Sequence, residues 1–298
     1  MASARASPTD PDSVLPRAVN RAVNTAQVTR PRTGFGYLDA VLEQPAAVLA
    51  FAHRGGAFHP GLEGLENTLA AFKHAVDLGY GYLETDVLAT RDGVLLAFHD
   101  AVLDRVTGST GTVSQMGYAE VADALIGGRE QIPRLTDLFE RFGSARFNID
   151  IKSERAIEPL AELIRHRGLE DRVCVASFSE IRLRRFRRRA GPAVATSVGP
   201  ASVVLTRLAP TAALARRLTR SPGVALQIPH RRGSFTVITP ELLRRAHDAG
   251  RHVHVWTVDD PEEMHHLLDL GVDGVMTDRT DVLRNVLIDR GQWMGAPT

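Results

Sequence analysis

The chain has 298 residues, 44% of them hydrophobic and 24% charged, with 36 basic side chains against 35 acidic ones and a single cysteine. This composition is that of an ordinary globular protein and excludes a disordered, collagenous or disulfide-stapled chain. A net charge of +1 supplies no global field for nucleic acid, and a lone Cys174 can form neither an internal disulfide nor a multi-cysteine zinc site.

Residues 1–46 scatter Pro, Thr, Arg and Asn and contain no apolar stretch long enough for the core of a signal peptide. They predict a flexible N-terminal extension, followed by a single catalytic domain over 47–298, in a cytoplasmic protein. No segment reaches the roughly 20 apolar residues that span a bilayer, so no stable membrane insertion is expected.

From residue 48 onward, short apolar runs alternate with amphipathic helical patterns. The runs are VLAFAH (48–53), YLETDV (82–87), FNIDIK (147–152), VCVAS (173–177), AVATSV (193–198), VALQI (224–228), HVHVWT (252–257) and DGVMT (273–277). Between them, segments such as ENTLAAFKHAVDLG and TPELLRRAHDAG place apolar residues at helical spacing, and Gly79, Gly143, Gly168, Gly250 and Gly271 stand where helices should stop. Eight strand and helix units over about 250 residues predict an α/β protein of the closed (β/α)8, or TIM, barrel type. An open doubly wound sheet would hold a nucleotide on a Gly-rich turn after its first strand, and HRGGAFHPG fits no such pattern.

In a barrel enzyme the chemistry gathers at the C-terminal ends of the strands. The first strand ends on His53 and Arg54, the second carries Glu84 and Asp86, and the third carries Asp150 and Lys152. Residues two apart on a strand share a face, and charges on buried strands need partners. An ion-pair network would satisfy them, but three carboxylates with one Lys leave negative charge that a divalent cation would neutralise. Oxygen ligands without a thiolate favour Mg2+ or Ca2+.

After the second strand, Asp92-Gly93 predicts a β-hairpin insertion with a two-residue turn. That register sets His99 opposite Asp86, whereas a slip of one residue would turn His99 to the other face. Two imidazoles beside a metal suit acid and base work, and Arg54 and Lys152 suit a phosphoryl group. The chemistry expected from these residues is metal-assisted cleavage of a phosphodiester.

HRGG (53–56), ENT (66–68), ETDV (84–87), FHD (98–100), NIDIK (148–152), VWTVDD (255–260) and GVDGVMTD (271–278) resemble, in order and spacing, the glycerophosphodiester phosphodiesterase family, from about residue 48 to about 285. The resemblance implies hydrolysis of a small-molecule glycerophosphodiester to glycerol 3-phosphate and an alcohol, with the glycerol hydroxyl a possible internal nucleophile through a cyclic phosphate. It implies His53 and His99 as base and acid, one divalent cation on Glu84, Asp86 and Asp150, and phosphate contacts from Arg54 and Lys152. Asp150 stands where the family more often has Glu, and Leu65 where it usually has Pro.

Glu66 could cap a helix or orient His53 or substrate, Gln227 could donate a hydrogen bond to substrate, and Trp256 could pack on substrate or lie in the core. The run EIRLRRFRRRAG, with six arginines, reads first as a solvated helix face and second as a dock for anionic lipid or nucleic acid. His252 and His254 are expected to be structural. Two other functions remain open: a phospholipase D-like enzyme acting on lysophospholipids or sphingolipids, and a non-catalytic barrel that binds phosphate esters or membrane.

Overall fold

The computed structural model describes residues 30–295 except 45, 212, 215, 216 and 218–220. All eight apolar runs form strands: β1 (Leu49–Ala52), β2 (Tyr82–Ala89), β3 (Arg146–Ile151), β4 (Val173–Ala176), β5 (Ala195–Thr196), β6 (Ala225–Pro229), β7 (His252–Trp256) and β8 (Gly274–Thr277). A helix follows each: α1 (Leu69–Asp77), α2 (Leu135–Arg141), α3 (Ile157–Arg167), α4 (Glu180–Ala190), α5 (Pro200–Leu208), α6 (Pro240–Asp248), α7 (Pro261–Leu270) and α8 (Thr280–Asp289). Thr68, Ser179, Thr239 and Asp260 cap α1, α4, α6 and α7 through their side chains, and α5, α6 and α7 open on Pro, whose missing N–H costs nothing there.

The strands pair in parallel in the order β5-β4-β3-β2-β1-β8-β7-β6. A bridge between Ser197 and Ala225, with Val198 N–H donating to the Ala225 carbonyl at 2.8 Å, joins β5 to β6. The sheet is thus the expected (β/α)8 barrel, nearly closed. Strand alternation then sorts the side chains. Leu83, Val87, Ile149, Ile151, Val253 and Val255 face the helices, while Tyr82, Glu84, Asp86, Asn148 and Asp150 take the other face.

The interior changes character along its axis. Leu49, Phe51, Tyr82, Cys174, Ala195, Ala225 and Met276 make an apolar floor, and the charged side chains stand above it at the mouth. Residues placed in the flexible extension complete that floor: Tyr37, Leu38 and Val41, from the turns Gly36–Asp39 and Ala40–Glu43, are fully buried against it. Tyr82 Oη donates to the Tyr37 carbonyl at 2.7 Å, and the two rings meet edge to face at 5.3 Å. The floor of the barrel is open until something fills it, which a polar-looking segment with three large apolar residues does. The rest of the expected extension, residues 1–29, lies outside the described residues. Tyr37→Ala should cost about 3 kcal/mol in chemical denaturation. An unchanged midpoint would mean that the floor does not depend on this segment.

The segment after β2 departs from the expected register. Leu95–Ala97 pairs antiparallel with β2, Val87 opposite Ala97, so the turn holds three residues, Arg91, Asp92 and Gly93. Thr90 sets this, since its N–H donates to the Val94 carbonyl at 3.0 Å and its Oγ1 accepts from Val94 N–H at 2.9 Å, with Gly93 left-handed at φ +86°. Phe98, not His99, therefore stands opposite Asp86, its N–H donating to the Asp86 carbonyl at 3.1 Å. Residues 98–134 continue as turns, a helical turn at Tyr118–Val121 and a short antiparallel pair, Leu125–Ile126 with Glu130–Gln131, around a separate apolar cluster that includes Phe98, Leu103, Val113 and Ile126. Among the described residues no helix is long and apolar enough to cross a membrane.

Candidate active site

The turn that ends β1 is built to bring a histidine and an arginine over the mouth. Gly55, at φ +89°, packs so tightly on α1 that a Cβ would lie 2.7 Å from that of Ala71, and Arg54 before it is left-handed at φ +49°. His53 Nδ1 lies 2.9 Å from Asp278 Oδ1, just past β8, and Nε2 lies 3.8 Å from Glu84 Oε2. Burial disfavours a charged imidazole here, but Glu84 and Asp278 outweigh it and raise the His53 pKa. Arg54 N–H donates to Glu84 Oε2 at 3.2 Å, while its guanidinium meets Asp86 at 2.9 Å and Glu66 at 3.1 Å.

Asn67 holds this turn to β2. It is buried and left-handed at φ +60°, and its N–H donates to the Arg54 carbonyl at 2.8 Å. Its amide donates to Asp86 Oδ2 at 3.1 Å and accepts from Thr85 Oγ1 at 2.7 Å. Sequence reasoning noted the ENT run without giving Asn67 a role.

Asp86 and Asp150 are direct neighbours across β2 and β3. Lys152 sits between them, Nζ 2.9 Å from Asp86 Oδ1 and 2.7 Å from Asp150 Oδ2. The three carboxylates do not share one environment. Burial and the nearby Asp86 push Glu84 up, against the pull of His53, Arg54 and Lys152. Burial also pushes Asp150 up, and its Oδ1 is buried with no hydrogen-bond partner. Asp86, though equally buried, is held below the usual carboxylate range by Lys152 and Arg54. Among the described residues no three His, Cys, Asp or Glu groups stand at the spacing of a shared ion; Lys152 bridges Asp86 and Asp150, and Arg54 contacts Glu84 and Asp86. Buried like charges must be neutralised, and these two cations do so for Asp86, while Glu84 and Asp150 stay raised.

His99 reaches the mouth despite the shifted register. Strand pairing ends with the Phe98 N–H bond to Asp86, so alternation no longer governs His99. A chain of contacts ties it there, from Asp100 through Arg105 to Glu66 and Arg54. Its Nδ1 lies 2.5 Å from Asp100 Oδ1, and Asp100 is held in turn by Arg105. Both imidazoles thus have Nδ1 fixed on a carboxylate, which directs Nε2 the other way. Asp278, Asp100 and Arg105 were missed as site residues. The first two ended motifs that the sequence showed, but nothing in their spacing paired them with a histidine.

Glu66 does not cap α1, which begins at Leu69 on Thr68. It bridges Arg54 and Arg105, accepting from Arg105 at 2.8 and 2.6 Å. Gln227 is turned into the barrel, where its Nε2 donates to Asn148 Oδ1 at 2.6 Å. Trp256 is half-buried at the rim, edge-on to Phe178 at 5.4 Å, and the Phe178 ring lies 5.6 Å from Lys152 Nζ. His252 and His254 are fully buried, His252 Nε2 at 3.1 Å from the Pro31 carbonyl and His254 packed on Phe51 at 4.9 Å, its pKa pushed down to about 3 by burial.

The same arrangement of chain recurs in known proteins. The Mycobacterium tuberculosis protein named "Probable glycerophosphodiester phosphodiesterase 2" is 43% identical, over 83% of this chain and 94% of its own. A Homo sapiens lysophospholipase D is 30% identical over 79% of this chain and 85% of its own. The crystal structure of a glycerophosphodiester phosphodiesterase from Agrobacterium tumefaciens superposes with a TM-score of 0.64 at 27% identity, covering 80% of this chain and 99% of that one. The model of the glycerophosphoryl diester phosphodiesterase family matches residues 53–282, and with the relative at 43% identity this establishes that the chain belongs to that family.

Proposed function

We propose that this phosphodiesterase hydrolyses glycerophosphodiesters to sn-glycerol 3-phosphate and an alcohol by two-histidine catalysis, with His53 as the base and His99 as the acid. The observation that carries this reading is the matched setting of the two rings, each tied at Nδ1 to a carboxylate, Asp278 or Asp100, so that each has Nε2 to work with. His53 Nε2 would take the proton of the attacking glycerol hydroxyl and His99 Nε2 would give one to the leaving alkoxide, after which water opens the cyclic phosphate to glycerol 3-phosphate with the two rings in exchanged roles. Arg54 and Lys152, already gathered at the carboxylates, supply positive charge for the phosphoryl oxygens.

The donor set suits a hard divalent cation, since Glu84 and Asp150 carry raised pKa values and Asp150 Oδ1 is buried without a partner. A cation held by Glu84, Asp86 and Asp150 would polarise a phosphoryl oxygen and make the nucleophile easier to deprotonate. Excess EDTA is expected to lower glycerophosphocholine turnover by about a hundredfold, with recovery on adding Mg2+ or Ca2+. Release of glycerol 3-phosphate, followed by a coupled assay, measures it. Full activity in chelator would remove the cation from the reading, and no product under any metal would remove the substrate class.

A second substrate, lysophospholipid, is favoured by the relative named as a lysophospholipase D and by the apolar rim formed by Phe178 and Trp256. Headgroup release from lysolipid would distinguish it from action on water-soluble diesters alone.

A further inference from the structure

Segments that follow the strands of a parallel barrel all lie on the mouth side. Phe58 follows β1, Phe178 and Ile181 follow β4, and Phe235 follows β6, and each is between 53% and 61% exposed. One exposed apolar side chain is ordinary, but four such residues standing in water around one opening mark a surface meant to be covered. Phe58 and Phe178 adjoin the site. Phe58 N–H donates to the Asp278 carbonyl at 3.1 Å, and Phe178 touches Trp256 and Lys152 as described.

Phe235 belongs to a tongue in which Arg231–Arg232 pairs antiparallel with Phe235–Thr236. Residues 231–235 of the tongue are exposed, the run RRGSFT has no acid, and neither arginine has an acidic partner among the described residues. The arginine-rich α4 differs. Arg185 and Arg189 pair with Glu154 and Glu158 of the preceding segment, and Arg187 turns inward to Thr196 and Ser197. Among the exposed arginines of that helix only Arg188 lacks an acidic partner among the described residues, whereas both arginines of the tongue lack one, beside the exposed Phe235.

We propose that the mouth docks on an anionic phospholipid surface, with Phe58, Phe178, Ile181 and Phe235 entering the interfacial layer and Arg231 and Arg232 on the headgroups. Aromatic rings favour the boundary between headgroup and acyl chain, and each nearby Arg adds attraction to anionic lipid. A lysophospholipid resting in that surface would then present its phosphodiester to the mouth. This last step rests on the phosphodiesterase reading above; the docking itself does not.

The test is sedimentation of the full chain with vesicles of equimolar phosphatidylglycerol and phosphatidylcholine, and with phosphatidylcholine alone. The mixed vesicles should bind it more tightly, and added salt should weaken the binding. In the triple variant Arg231→Ser, Arg232→Ser, Phe235→Ser the partition coefficient should fall about thirtyfold. Turnover of soluble glycerophosphocholine should be unchanged in that variant, which shows that it is folded, while hydrolysis of vesicle-held lysophospholipid falls with binding. Equal binding to both vesicle types, or a triple variant that binds like the parent, overturns the docking. A parent that binds vesicles but cleaves no diester counts against the phosphodiesterase reading instead.

Discussion

His53→Ala is expected to lower kcat/KM for glycerophosphocholine by about three orders of magnitude while the chain stays folded. The ring is held from both sides, Asp278 on Nδ1 and Glu84 facing Nε2, and its removal takes away the imidazole proposed to accept the proton. The pH profile separates a base from a merely structural histidine. Burial lowers the His53 pKa, Glu84 and Asp278 raise it, and the balance lies above the ordinary 6.5. A base must be neutral to accept a proton, so the acid limb of kcat/KM should rise with pH through a midpoint above 6.5. Asp278→Asn removes one of the two raising carboxylates. Its midpoint should move down, and its plateau should fall roughly tenfold because the ring is less firmly aimed. An acid limb that does not move would take Asp278 out of that role, and an active His53→Ala would end the assignment of the base.

Asp86→Ala should be the most damaging change to stability at the mouth, at about 3 kcal/mol, the lower end for a broken buried pair. Asp86 is almost fully buried and receives Arg54 at 2.9 Å, Lys152 at 2.9 Å and Asn67 at 3.1 Å. Without it two cations face each other across the mouth. The lower end applies because Arg54 keeps Glu66 and Lys152 keeps Asp150. The double variant Asp86→Ala, Lys152→Met removes one stranded cation and should recover part of the loss in urea denaturation, while activity stays absent. If Asp86→Ala unfolds at the parent's urea concentration, the carboxylate is not what holds these cations together.

Much of this was legible from residue order alone. A strand buried on both faces must be an apolar run, so eight runs announced eight strands, and polar intrusions at their ends announced the mouth: His53, Glu84, Asp86, Asp150. The turn at residues 91–93 was misread by one residue because Thr90 Oγ1 accepts from Val94 N–H, a side-chain choice that the Asp-Gly signal does not reveal. Asp278 could be seen as an acid but not as the partner of His53, since the two are 225 residues apart and meet only when the last strand closes on the first. The burial of Tyr37, Leu38 and Val41 depends on an opening at the foot of the barrel, and local sequence carries no trace of that opening.

That filled floor also governs traffic. Among the described residues Tyr37, Leu38 and Val41 pack beneath Phe51, Tyr82 and Met276, so the foot of the filled barrel is closed and the mouth is its working side. Substrate, glycerol 3-phosphate and the released alcohol all pass the rim where Phe178 and Trp256 stand. Neither product can drain through the barrel, so each turnover must clear the doorway before the next substrate enters.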